Sequence, residues 1–224
     1  MNFFGHAAIA TQIFGRPPAA LARAELAKLC AGAMLPDFVG MLGLKRPQVS
    51  EAWLQRGVDF HHATDHAFHD LPSFHALSRE AFTWLSARRL PRGPARAVAH
   101  IGIEMLLDEA IADDALVRES YRAALAVPLP ELLVFVGDED ASRLASLTRV
   151  LTERAPLSAT PPPPALLAER IRRTLAHRPR LATDDQGQAL LAAWVEATRP
   201  AVSREAPQLF SDLRAQLAGA SGAK

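Results

Sequence analysis

Residues 60–75 read FHHATDHAFHDLPSFH and hold five of the chain's eight histidines, interleaved with Asp65 and Asp70. His61, Asp65 and His69 recur every fourth residue. On an α-helix they form one slanted stripe, about 80° wide at roughly 100° per residue. Leu54, Val58 and Phe68 share the side of His61 and Asp65, while Asp59, His62, His66 and Asp70 face the other way. This phase predicts an amphipathic helix from about Ser50 to Asp70, ended by Pro72. It also points a histidine and an aspartate at the core, where an unpaired carboxylate is very costly. A metal ion would partner them, and so would a simple His–Asp hydrogen bond.

The pattern recurs on either side. In AVAHIGIEMLLDEAI (97–111), His100 and Glu104 are four apart and share a face with Ile103, Leu107 and Ile111. In MNFFGHAAIATQIF (1–14), His6 lies with Phe3, Ala10 and Ile13, and Asp37 follows a proline in AMLPDFVG (33–40). Three inward histidines and three inward carboxylates on separate segments suit Zn, Mn or Fe. The expected set is His6, Asp37, His61, Asp65, His100 and Glu104 around one or two divalent ions, with His69 at the rim.

Nearly every other periodic segment is helical as well. The expected helices are 2–14 with Asn2 as cap, one from Pro17 to about Gly32, 73–89, 95–126, 139–153, 166–177, 184–199 and 201–217. Asp37 is expected in a turn. LLVFV at 132–136 fits a helical turn better than a strand, because a strand needs a partner. The prolines of APLSATPPPPA (155–165) read as a surface loop within one domain spanning 1–224. The fold class is therefore all-α, a single-domain helical bundle.

Composition narrows the function. A net charge of +1 gives no general electrostatic ground for nucleic acid or membrane binding. No segment reaches the roughly 18 uncharged apolar residues of a membrane span. Cys30 is the only cysteine, which excludes an intrachain disulfide and suits a cytoplasmic protein with a buried, inert thiol. Serine-nucleophile elbows and phosphate- or dinucleotide-binding glycine loops are absent. Trp53, Trp84 and Trp194 lie on expected helices and read as core residues.

Taken in order, these fragments resemble the acyl carrier protein phosphodiesterase family, a branch of the all-helical HD-type metal phosphohydrolases. MNFFGHAAIA is similar to that family's opening, with His6 at its early histidine, and AGAMLPDFVG places Asp37 on its aspartate. In GVDFHHATDHAFHDLPSF, His61 matches the leading histidine and Asp65 the aspartate four later. His69 falls on a second aspartate, and His62 stands where the family has arginine. Arg88 and Arg89 match a basic pair. His100, Glu104 and Met105 replace the family's aspartate, aspartate and histidine, which shifts the ligand set toward nitrogen. LAHRPRL (175–181) resembles a later arginine- and leucine-containing segment.

The resemblance implies a metal-dependent phosphodiester hydrolase that releases 4′-phosphopantetheine from acyl carrier protein. The bound ion would lower the pKa of a water and polarise the phosphoryl oxygen. His69 or His62 would protonate the leaving oxygen, and Arg88 and Arg89 would hold the other phosphate oxygens. The arginines of RIRRTLAHRPR (170–180) would serve either as a docking face for the acidic carrier protein or as a solvated helix surface. Two further readings stay open: hydrolysis of another phosphoester, lipid or nucleotide, and a non-catalytic helical protein whose histidines form core hydrogen bonds.

Overall fold

The computed structural model describes residues 1–154, 160–176, 178–183 and 185–221. The start of the proline-rich loop, His177 within RIRRTLAHRPR, and the last residues of the C-terminal tail lie outside the described residues. The chain is all-α: helices account for 77% of the described residues, and the described strands are two residues long each. It forms two compact units. The first comprises Met1–Ala67, Ile111–Leu157 and Arg214–Lys224, and the second Phe68–Ala110 and Ser158–Leu213.

In the first unit, α1 (Phe3–Phe14), α2 (Arg23–Leu42) and α6 (Ala115–Leu125) pack on one another, with α8 (Asp140–Arg154) against α2 and α6. The Phe4 amide donates to the Asn2 side chain at 3.0 Å, which satisfies an orphan donor at the start of α1. Phe4 then sets its ring edge-on to Tyr121 of α6. Cys30 is fully buried, and burial pushes its thiol up to about 12, which makes it inert.

Helix α3 (Ala52–His69) starts where Glu51 accepts the Leu54 amide at 2.7 Å. It crosses α2 backbone to backbone. A Cβ on Gly32 would lie 2.0 Å from the Leu54 carbonyl oxygen, and one on Gly57 would lie 2.1 Å from that of Leu29. Only glycine fits at either place.

Several expected boundaries move. Gly32 does not end α2 and Asp37 is not in a turn: the helix runs through Pro36 to Leu42 and stops at Gly43, whose φ of 61° is left-handed. An internal proline costs about 3 kcal/mol. The burial of Met34, Leu35 and Phe38 beside it outweighs that cost. The 95–126 helix is two, α5 (Arg92–Ile111) and α6, because Asp114 accepts the Leu116 amide at 3.0 Å and caps a new start. LLVFV is not simply helical. After α7 (Leu129–Leu132), Leu133–Val134 pairs antiparallel with Gln48–Val49, a partner that sequence separation hides.

The second unit contains α4 (Pro72–Ala87), most of α5, α9 (Pro164–Ala176) and most of α10 (Asp185–Ser221). Helix α10 continues through Pro200 and Pro207 instead of dividing at Pro200. Trp194 is fully buried against Gly102, where a Cβ would meet the indole at 2.4 Å. Arg199 joins α10 to α5 and the 160s loop, donating to Glu109 at 2.9 Å and to the Pro162 carbonyl at 2.7 Å.

Candidate metal centre

Among the described residues, potential ligand atoms gather in two groups of three, His6–Asp37–His61 in the first unit and His69–His100–Glu104 in the second. Within each group one ligand atom per residue lies within 4.8 Å of the others.

The first group is assembled by the Gly32–Gly57 crossing. It brings His61, one turn beyond Gly57 on α3, against α2, where His61 Nδ1 donates to the Ala33 carbonyl at 2.9 Å. That bond fixes the tautomer and leaves Nε2 with its lone pair. His6, on α1, donates from Nε2 to the Met1 carbonyl at 3.0 Å, which leaves Nδ1 as its lone-pair nitrogen. His6 Nδ1 is buried with no hydrogen-bond partner. The two imidazoles lie 3.9 Å apart between centroids. Burial holds the pKa of His6 well below its ordinary value, with the neighbouring His61 adding to the effect, and burial lowers that of His61 too. Both rings are therefore neutral at pH 7, the protonation state in which histidine ligates a metal.

Asp37 completes the group from the half-buried flank of α2. Asp65 does not sit fully inward as the stripe predicts. Its side chain is 42% exposed, with Oδ1 3.3 Å from the Met1 amine and 3.7 Å from His6 Nε2. Each four-residue step turns roughly 40° past a full circle, so the stripe drifts from the buried His61 toward solvent.

In the second group, His69 ends α3, and His100 and Glu104 stand one turn apart on α5. Nε2 of His69 and Nε2 of His100 approach the same Glu104 Oε1, at 3.3 and 3.2 Å. The two rings are parallel within 4°, and Phe74 sets its ring nearly perpendicular to both. Burial raises the Glu104 pKa, but the hydrogen bonds from His100 and His69 outweigh it and hold the carboxyl far below the usual range. His100, expected inward with Ile103, is half exposed, while Glu104 is buried.

His62 is exposed, its ring 5.3 Å from that of His61 and perpendicular to it. Arg88 and Arg89 close α4 at the surface. Arg88 lies 3.6 Å over the Trp84 ring and donates to the Trp84 carbonyl, and Arg89 takes a φ of 65°. Arg172 and Arg173 both bind Glu169 on their own helix, at 2.8 and 2.7 Å, as a self-paired helix surface does.

Sequence reasoning passed over three participants: the carbonyls of Met1 and Ala33, and Phe74. Backbone carbonyls carry no side-chain signal. Phe74 lies within the quoted histidine run, but its role depends on where α5 lies. No helix among the described residues is long and apolar enough to cross a membrane. Comparison with protein-family models, curated proteins and solved structures found no match for this chain.

Proposed function

We propose that this protein is a divalent-metal-dependent phosphoester hydrolase whose ion is held by His6, Asp37 and His61. The observation that carries the reading is the buried imidazole pair. Each ring is anchored through one nitrogen to a backbone carbonyl, which leaves its other nitrogen as a lone-pair atom, and each offers a ligand atom within 4.8 Å of one offered by Asp37. Such outer hydrogen bonds orient metal-bound histidines and raise their basicity. A buried ring nitrogen without a partner costs about 1–3 kcal/mol, which a ligand bond would recover.

Two histidines and one carboxylate make a three-ligand set, the pattern of catalytic sites that keep a position open for water or substrate. A bound ion supplies a nucleophilic water of near-neutral pKa and polarises a phosphoryl oxygen. Asp65, partly exposed beside His6, would orient that water or accept its proton, and His62, exposed beside His61, would serve as acid for the leaving oxygen. The sequence resemblance favours a phosphodiester substrate, and within that class the 4′-phosphopantetheine linkage of acyl carrier protein.

The test is elemental analysis of the untagged protein, followed by hydrolysis assays with Zn, Mn and Fe. The substrates are bis(p-nitrophenyl) phosphate, holo-acyl carrier protein, and representative lipid and nucleotide phosphodiesters. Metal-dependent turnover that disappears in His61→Ala supports the proposal. Cleavage of the small diesters with no cleavage of holo-acyl carrier protein would keep the hydrolase and remove the carrier-protein substrate. The complete burial of His6 favours a second reading, a hydrogen-bonded core without chemistry. A parent protein that takes up none of the three ions would establish it.

A further inference from the structure

We infer that His69, His100 and Glu104 form a separate, solvent-facing site for a divalent transition ion, with Zn²⁺ the best fit. The inference does not rest on the hydrolase reading, since all three residues belong to the second unit and none belongs to the buried group.

The distances carry the argument. His69 Nε2 and His100 Nε2 stand 3.3 and 3.2 Å from one oxygen, Glu104 Oε1. Charge-assisted N–H···O bonds to a carboxylate close to about 2.7–2.9 Å, so both contacts are long for hydrogen bonds. Around a tetrahedral ion with bonds of about 2.0–2.2 Å, neighbouring donor atoms stand about 3.3–3.6 Å apart. The measured 3.3 Å stands at the lower edge of that range and 3.2 Å just under it, so the two hydrogen-bonded contacts already lie close to the spacing that one tetrahedral ion would require.

The surroundings hold this arrangement. The i, i+4 spacing on α5 puts His100 one turn from Glu104, with its Nε2 3.2 Å from Oε1. The His69 and His100 rings lie 5.1 Å apart between centroids with 4° between their planes. The buried Phe74 sets its ring perpendicular to each at 5.4 Å, which limits rotation of both imidazoles. A carboxylate buried at 7% exposure beside two imidazoles offers an N₂O set whose ligand atoms lie within 4.8 Å of one another. Imidazole-rich ligation suits zinc and its neighbours, whereas magnesium and calcium require more oxygen ligands. His100 is 48% exposed, so water can reach the fourth position.

The test is calorimetric titration of Zn²⁺ into the chelator-stripped 224-residue chain, with His100→Ala, Glu104→Gln and His61→Ala beside the parent. His100 is half exposed, so its replacement leaves the core intact, and an unchanged far-ultraviolet dichroism spectrum checks this. Two ions per chain are expected in the parent. His100→Ala and Glu104→Gln should each remove one, or weaken it at least tenfold, while His61→Ala removes the other. A parent binding one ion, lost in His100→Ala and kept in His61→Ala, would support this site and overturn the buried one. Parental stoichiometry and affinity in both His100→Ala and Glu104→Gln would overturn the inference. A single ion lost equally in His100→Ala and His61→Ala would also overturn it, because one shared site would then account for all the ligands.

Discussion

Replacing Gly57 by alanine tests how the buried group is built. The added Cβ would stand 2.1 Å from the Leu29 carbonyl oxygen, 2.7 Å from the Ala33 amide nitrogen and 2.8 Å from the Gly32 Cα. All three are backbone atoms, so no side chain can swing aside. Carbon–oxygen contacts of this kind settle at about 3.3 Å or more, so the helices must separate by about 1.2 Å. Such overpacking typically costs about 1–3 kcal/mol. Alanine recovers up to about 1 kcal/mol of helix propensity, and a net loss of up to about 2 kcal/mol remains. The same shift would lengthen the bond from His61 Nδ1 to the Ala33 carbonyl, now 2.9 Å, beyond hydrogen-bonding range. His61 would then lose both its orientation and its tautomer.

The control is Gly40→Ala on the exposed side of α2, where a Cβ meets nothing within 4 Å. It should raise stability by about 0.5–1 kcal/mol. Urea unfolding followed by helical dichroism reads stability, and Zn²⁺ calorimetry reads the site. If Gly57→Ala matched Gly40→Ala in stability and kept the parental zinc affinity, the close crossing would not position His61, and the reasoning would be wrong.

Three other outcomes follow from the same contacts. His6 and His61 have folded pKa values below the ordinary 6.5, so below that pH the unfolded chain takes up protons that the folded chain refuses. Stability in metal-free buffer should therefore decline as pH falls through 6.5, by up to about 1.4 kcal/mol per pH unit for each histidine, and urea midpoints between pH 8 and 5 measure it. The depressed Glu104 adds to this loss only below its ordinary carboxylate range, near pH 4.5. Asp114→Ala removes the cap on the Leu116 amide and the 2.5 Å contact with Arg16, and should lower stability by about 1 kcal/mol while leaving zinc stoichiometry unchanged. With free Zn²⁺ at a hundred times its dissociation constant, each occupied site should add about 2.7 kcal/mol to thermal stability; Asp37→Asn should lose the contribution of the buried group, and equal stabilisation of both proteins would count against Asp37 as a ligand.

Much of the helical pattern was legible because periodicity is a local property. The phase of Leu54, Val58 and Phe68 predicts a buried His61 and an exposed His62, and both are found so. The same phase misjudges Asp65, because a stripe of constant four-residue spacing rotates slowly out of the core. It also misjudges His100, since on α5 the four-residue step runs inward, from the half-exposed His100 to the buried Glu104. Punctuation by proline and glycine was the weakest signal. Gly32 marks a crossing instead of a stop, and Pro36, Pro200 and Pro207 lie inside helices. The meaning of each depends on what packs beside it. Leu133 and Val134 likewise became strand only because Gln48 and Val49 lie opposite them.

The sequence by itself determined an all-helical chain and pointed to five of the six residues in the two groups as ligands, because hydrophobic period and residue chemistry are written residue by residue. His69 is expected only at the rim, and Asp65, expected as a ligand, belongs to neither group. Tertiary structure alone decided the grouping. It sorted the histidines and carboxylates into a buried trio and a half-exposed trio, and it set the tautomers of His6 and His61 through the carbonyls of Met1 and Ala33. A carbonyl has the same chemistry in every residue, so only its position in three dimensions, fixed for Ala33 by two glycines that let α2 and α3 touch, gives it a role.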